Sequence, residues 1–317
     1  MKNIYSNIYK NSQKNLNKAK NLLMKNHIVA LPTETVYGLA GNAYKKAAIK
    51  KIFNLKKRPK KNPLIIHYDN LSDLKEDAYI NSSFLKLYYK FSPGPLTYIL
   101  KKKKTSKICP HANANLDTIA VRFPKHRDIK KLMKKINFPL AIPSANISSR
   151  ISPVSANDVI EEFGKKVKFI LDGGRSKIGL ESTVIKVSKE IKIVRPGLVL
   201  KKDIERVLKK KISFSKKVNK IISPGMLKKH YSPGIPMKLN CKTREDKAAF
   251  IVFGKRYKNS KNLFNLSKKG NLKEAGKNLY KTFRKIKNLN YKKINVVKIS
   301  NKGFGIAIND RLKKASN

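Results

Sequence analysis

The chain has 317 residues, 40% of them hydrophobic, enough to build substantial cores in two domains or one large one. Its 74 Lys and Arg against 19 Asp and Glu give a formal net charge of +55, which attracts polyanions and raises nucleic-acid binding as a first hypothesis. No run approaches the roughly 20 apolar residues that span a bilayer, and two cysteines cannot supply a disulfide framework or a four-ligand zinc site.

The N-terminus, with Lys2, Lys10, Lys14 and Lys18 among asparagines, lacks the apolar core of a secretory signal, so a cytoplasmic location is expected. Residues 1–26 read as a polar stretch closing in a short helix on Leu16, Leu22 and Leu23. The run from His27 to Pro32 predicts a buried strand stopped by proline. Ala47, Ala48, Ile49, Ile52, Phe53 and Leu55 form a helical stripe ended by Arg58-Pro59. Strands are predicted at 64–67, 96–100, 118–123, 140–143, 169–171, 183–187 and 191–194, with helices at 126–135, 155–163 and 203–209. Such alternation implies an α/β domain with a twisted mixed sheet over residues 1–211.

Residues 212–237 change character. From Ser223 to Pro236 there are three prolines, two glycines and no periodicity, which predicts an extended linker. Beyond it, a strand at 248–253, a helix at 272–286 with Leu272, Ala275, Leu279 and Phe283, a strand at 294–299 and a closing helix at 306–312 make a smaller α/β domain over 238–317.

The charge is spread along the whole chain and is mostly lysine, with only 11 arginines among the 74 basic residues. A lysine-decorated ordinary surface explains that better than a dedicated phosphate-reading face, which favours the planar fork of arginine. Familiar catalytic signatures are missing. There is no G-x-x-x-x-G-K-[ST] loop, no G-x-S-x-G elbow, and no pair among the five histidines with metal-ligand spacing. Gly303-Phe304-Gly305 lacks the third glycine of a dinucleotide loop.

Several uncommon polar clusters lie at the ends of predicted elements. They are Pro32-Thr33-Glu34-Thr35-Val36-Tyr37-Gly38-Leu39, Lys56-Lys57-Arg58-Pro59 with Asn62-Pro63-Leu64, and Pro93-Gly94-Pro95-Leu96-Thr97. Val121-Arg122-Phe123-Pro124, Pro143-Ser144-Ala145-Asn146, Glu181-Ser182-Thr183-Val184 and Arg195-Pro196-Gly197 follow. In this order and spacing they resemble the YrdC/Sua5 family of threonylcarbamoyl-AMP synthases. Pro224-Gly225-Met226, His230-Tyr231-Ser232-Pro233 and the segment Gly305 to Arg311 resemble its longer, two-domain Sua5 form. The resemblance covers roughly residues 15–315. It implies a YrdC-like domain followed by a smaller Rossmann-like C-terminal domain.

It also implies a reaction. L-threonine, bicarbonate or CO₂ and ATP give threonylcarbamoyl-AMP and pyrophosphate, and partner proteins pass the threonylcarbamoyl group to adenosine 37 of tRNAs reading ANN codons. No protein nucleophile is needed, because placement and charge stabilisation carry such a reaction. Carried over residue by residue, the resemblance assigns Thr35, His67, Arg122, Ile142 and Ser182 to threonine. It assigns Lys56, Arg58, Asn62, Thr118, Ser144, Asn146, Ser152, Arg195 and Tyr231 to ATP, with Lys56 and Arg58 as the electrostatic catalytic pair. Magnesium is expected to be held by phosphates and water rather than by protein ligands.

Arg122, ending an apolar strand, suits a bidentate grip on a carboxylate. On spacing alone, ordinary turn chemistry is the favoured account of Ser144, Asn146 and Ser152. The Pro/Gly segment ending in His230-Tyr231 reads as a lid bringing Tyr231 over the nucleotide. Two departures stand out: Ser148-Ser149 follow the Ser-Ala-Asn cluster where Ser-Gly is usual, and Lys60-Lys61 occupy the loop near the phosphates. Two rival readings are an RNA-binding module on the basic surface and a carbamoyl-adenylating domain of the hydrogenase-maturation kind. The first does not require the small-molecule residue set, and the second needs zinc fingers that two cysteines cannot supply.

Overall fold

The computed structural model describes residues 7–215, 223, 225–226, 229–257 and 260–317. Part of the expected linker, including Pro224, and the first six residues of the N-terminal stretch lie outside the described residues.

An eleven-stranded mixed sheet forms the larger part. In spatial order its strands are Ile8–Lys10, Ile170–Asp172, Val29–Leu31, Gly38–Asn42, Leu140–Ala141, Ile65–His67, Thr118–Arg122, Leu96–Lys101, Thr183–Lys186, Lys192–Arg195 and Ser213–Phe214. Helices Lys46–Lys56, Leu71–Asp77, Ser82–Phe91 and Lys201–Leu208 pack on one face, where Ile66, Tyr98, Leu100, Ile119, Val121 and Ile185 meet Ile52, Phe84, Leu87 and Ile204. The period-two alternation sends Ile65, Ile99, Ala120 and Val184 to the opposite face as a small apolar floor.

Every strand expected over 1–211 is present, within two residues of its expected bounds. Besides the edge strand Ile8–Lys10 and the 3₁₀ turn Gly164–Lys166, three elements there were not expected from the pattern: Gly38–Asn42 and the helices Leu71–Asp77 and Ser82–Phe91. The strand carries two glycines, which mask its character. Gly38 is required by contact, because a Cβ there would lie 2.3 Å from the Ile142 side chain. Both helices are started by asparagine side chains: Asn70 accepts from the Asp73 amide and Asn81 from the Phe84 amide.

At the two ends of the span 212–237, described residues belong to sheets. Ser213–Phe214 pairs in parallel with Lys192 and Ile193. Met237 already begins the first strand of a second sheet. That sheet is wholly parallel, in the order Met237–Leu239, Ile294–Val296, Ala249–Val252, Leu263–Asn265. Two of its strands were expected and two were not. Helices Leu272–Asn288 and Gly305–Ala315 cover one face, and their core runs on into Val36, Ile151, Val154, Leu180 and Tyr231 of the first part. The two sheets therefore share a hydrophobic interface. Among the described residues, no helix is long and apolar enough to cross a membrane.

Candidate active site

Strand register builds the first wall of a cleft on the free face of the large sheet. His67 and Arg122 are parallel partners, Thr97 pairs with Arg122, and Leu96 pairs with Thr183. Arg122, His67 and Ser182 therefore arrive at one end of a run of four neighbouring strands. Gly197 lets the loop after Arg195 lie on the backbone of Ser182 and Thr183, where a Cβ would sit 2.4 Å from the Thr183 nitrogen.

The cleft is lined by Thr35, Arg58, His67, Arg122, Ile142, Ser144, Ser182, Arg195 and Tyr231, all assigned from the sequence. Its wall also includes Val36, Ile65, Pro143, Glu181, Gly225 and His230, which had no assigned role. Two of these lay in quoted clusters: Glu181 precedes Ser182, and His230 precedes Tyr231.

Each cation is aimed by acceptors. Arg122 donates through Nη1 to Thr35 Oγ1 at 2.8 Å and through Nε to the Gly94 carbonyl at 3.2 Å, while Nη2 stands 2.8 Å from Glu34 Oε1. Arg58 donates to the Asn62 carbonyl at 2.9 Å, to Asn62 Oδ1 at 2.7 Å and to the Pro63 carbonyl at 2.8 Å. Burial and the nearby Arg195 charge push its guanidinium down to about 9, so it remains cationic at neutral pH. Arg195 donates to the Ser182 carbonyl and hydroxyl, each at 3.1 Å, and that hydroxyl also contacts Thr97 Oγ1 at 2.7 Å.

His67 is a buried neutral imidazole. Burial and the Arg122 charge hold it well below the ordinary histidine value. Its Nδ1 lies 3.3 Å from the Ile65 carbonyl, so it carries the proton and Nε2 keeps a lone pair. The cleft thus combines fixed cations, hydroxyls and a basic nitrogen.

Other assigned residues stand elsewhere. Lys56 lies behind the cleft, and its ammonium donates to the Ser144 and Asn146 carbonyls. It ties down the turn that carries Ser144. Asn62 holds Arg58, as above. Asn146 donates to the Ile147 and Arg150 carbonyls, and Ser152 donates to Glu181 Oε1 at 2.6 Å. Thr118 is at the far end of its strand, in a separate cleft with Tyr79, Lys101 and Lys186.

The remaining wall comes from Gly225, His230 and Tyr231, and the C-terminal part backs it. His230 and Tyr231 rings lie 4.1 Å apart, Tyr231 is parallel to Tyr280 at 5.9 Å, and the Arg311 guanidinium sits 5.3 Å from the Tyr231 ring centre. Arg311 also contacts Glu181 Oε2 at 3.1 Å, and Tyr280 donates to the same carboxylate. Arg311 and Arg195, with the Ser152 hydroxyl, outweigh burial and hold Glu181 down at about 2. With its oxygens so engaged, Glu181 offers no open metal position. No group of three or more His, Cys, Asp or Glu suited to a metal occurs among the described residues.

Two family models match the chain. The Sua5/YciO/YrdC model, described as telomere recombination, matches residues 21–197, and the model of the threonylcarbamoyl-AMP synthase C-terminal domain matches residues 199–317. The chain belongs to the Sua5/YrdC family.

A threonylcarbamoyl-AMP synthase of Pyrococcus abyssi is 35% identical over 94% of this chain and 93% of its own length. One from Bacillus subtilis is 40% identical over 69% of this chain and 65% of its own length. Among solved structures, P. abyssi Sua5 complexed with L-threonine superposes with a TM-score of 0.89 at 33% identity, over 98% of this chain and 97% of that one. Escherichia coli YciO shares the fold alone, with a TM-score of 0.54 at 22% identity over 61% of this chain and 95% of that one. The molecule is accordingly an enzyme of the Sua5/YrdC family, a threonylcarbamoyl-AMP synthase with a YrdC-like part and a C-terminal Sua5 part.

Proposed function

We propose that the cleft joins L-threonine, CO₂ from bicarbonate and ATP into threonylcarbamoyl-AMP, with the triphosphate toward Arg58 and Arg195 and the threonine carboxylate on Arg122. The observation that supports this most is the convergence of three buried guanidiniums and a neutral imidazole on one cleft. His67 Nε2 accepts a proton from the threonine ammonium. The freed amine adds to the carbon of CO₂, and its second proton passes to bicarbonate as that releases CO₂ and water, leaving a carbamate. A carbamate oxygen then attacks the α-phosphorus, the bond to the bridging oxygen of the β-phosphate breaks, and pyrophosphate leaves. Arg58 and Arg195 offset the charge that builds on the phosphates. Ser182 and Thr35 hold the amino acid, Ser144 the nucleotide, and the Ile142 backbone lies beside the threonine. Magnesium enters with ATP, held by phosphates and water.

A carbamate reverts readily to amine and CO₂, so water must be kept out. We assign that task to His230 and Tyr231 in a lid, residues 212–237, between a catalytic domain over 1–211 and a C-terminal domain over 238–317. The cleft has a volume of about 40 Å³, too little for both substrates. His230 and Tyr231 therefore withdraw to admit them and return for the reaction. The product serves modification of adenosine 37 in tRNAs that read ANN codons, in the cytoplasm, through separate transfer proteins. Incubation with ATP, bicarbonate and L-threonine tests the reading: pyrophosphate should appear only when all three are present, and threonine-independent release would refute it.

A further inference from the structure

Glu34 has no part in the roles assigned above, and its surroundings are unusual. Both of its carboxylate oxygens are buried without a hydrogen-bond partner, and Arg122 Nη2, 2.8 Å from Oε1, likewise has none. The contact is one of charge against charge. Exposure of the two side chains is only 9% and 5%, so solvent screens it little. Arg58 stands in contrast. Among the described residues its hydrogen-bond acceptors are all uncharged: two oxygens of Asn62 and the Pro63 carbonyl. Arg122 thus faces a carboxylate without hydrogen bonds, whereas Arg58 has uncharged acceptors and the Glu181 carboxylate near Arg195 is already held by Arg311, Tyr280 and Ser152.

We infer that Glu34 is a specificity-determining residue, which keeps phosphate off Arg122 and so reserves that guanidinium for the single carboxylate of an amino acid. A phosphate dianion brought to Arg122 must approach the Glu34 charge, and such like-charge juxtaposition is costly in a site poor in water. An amino-acid zwitterion brings one negative charge only, with its own ammonium beside it. Without Glu34, three similar cations would let a phosphate group seat at the wrong end and shut out the amino acid. Glu34 lies behind Arg122 and does not line the cleft, so it acts through the guanidinium.

The inference rests on the proposed placement of threonine at Arg122, and its test separates the two. L-threonine binding is measured by calorimetry on the full chain without ATP, with and without added inorganic phosphate. In the natural protein, phosphate should leave threonine affinity almost unchanged. In Glu34→Gln, which keeps the shape and removes the charge, phosphate should weaken threonine binding by about tenfold, the low end of what a like-charge contact is worth. Equal phosphate sensitivity in the two proteins would overturn the inference while leaving the reaction intact. If Glu34→Gln does not fold, the natural protein alone decides: threonine binding that falls in simple competition with phosphate overturns it. Absence of threonine binding in the natural protein would instead count against the proposed function.

Discussion

Arg122 and Arg311 are both buried guanidiniums beside a glutamate, at 2.8 Å from Glu34 and 3.1 Å from Glu181. Arg122 lines the cleft, held at a strand end with Thr35 and Gly94 as acceptors. Arg311 is sealed at the interface between the two sheets, under the Tyr231 ring and against the Pro196 carbonyl and Asp310. Arg122 sits on a wall set by strand register, whereas the second pair joins residues 130 positions apart. If Arg122 takes the threonine carboxylate as proposed, similar chemistry serves recognition in one region and assembly in the other.

Breaking the assembled pair should give the largest effect. Arg311→Ala leaves Glu181 charged and buried, a loss of about 3–5 kcal/mol in typical cases. Urea unfolding should show that loss. An unchanged midpoint would mean that Tyr280 and Ser152 alone satisfy the carboxylate.

Arg122→Lys keeps the charge and loses the planar fork, so the effect should fall on one substrate. Hydrogen bonds to charged groups are worth about 1.5–3 kcal/mol, so the KM for threonine should rise roughly tenfold to a hundredfold while that for ATP stays close to its starting value. A matching rise for ATP would place the nucleotide, not the amino acid, at Arg122.

The same contrast explains what the sequence could reveal. Strand-built groups are legible because each ends an apolar run and carries its neighbours in a short cluster, as His67, Arg122 and Ser182 do. The helix Lys46–Lys56 was readable from its stripe, whereas Gly38–Asn42 was hidden by its glycines. By the resemblance, Lys56 had a place beside the phosphates. Its commitment to the Ser144 and Asn146 carbonyls, 88 and 90 residues away, depends on packing that no local pattern encodes. Arg311 was visible only within a closing segment, with nothing nearby to point to Glu181. The Glu34 charge lay in a quoted cluster, yet its meaning came from the unpaired oxygens beside Arg122.

The smallest effect should come from protons at the assembled wall. Burial, aided by Arg58, Lys56 and Arg195 against the opposing pull of Glu181, pushes His230 down to about 3 from the ordinary 6.5. The folded state therefore binds this proton less readily than the unfolded chain does. Stability from this source is complete above pH 6.5 and is lost as the pH falls toward 3. Glu181, held at about 2, adds a second loss that begins only below its ordinary 4.5. Unfolding free energy followed from neutral pH downward should thus start to decline before any carboxylate titrates. His230→Asn should remove part of the early slope and leave the later one. His67, also displaced well below its ordinary value, keeps the remainder. If the early slope survives His230→Asn undiminished, His230 is exposed to solvent in the resting protein, and the wall it forms with Tyr231 stands open before substrates arrive.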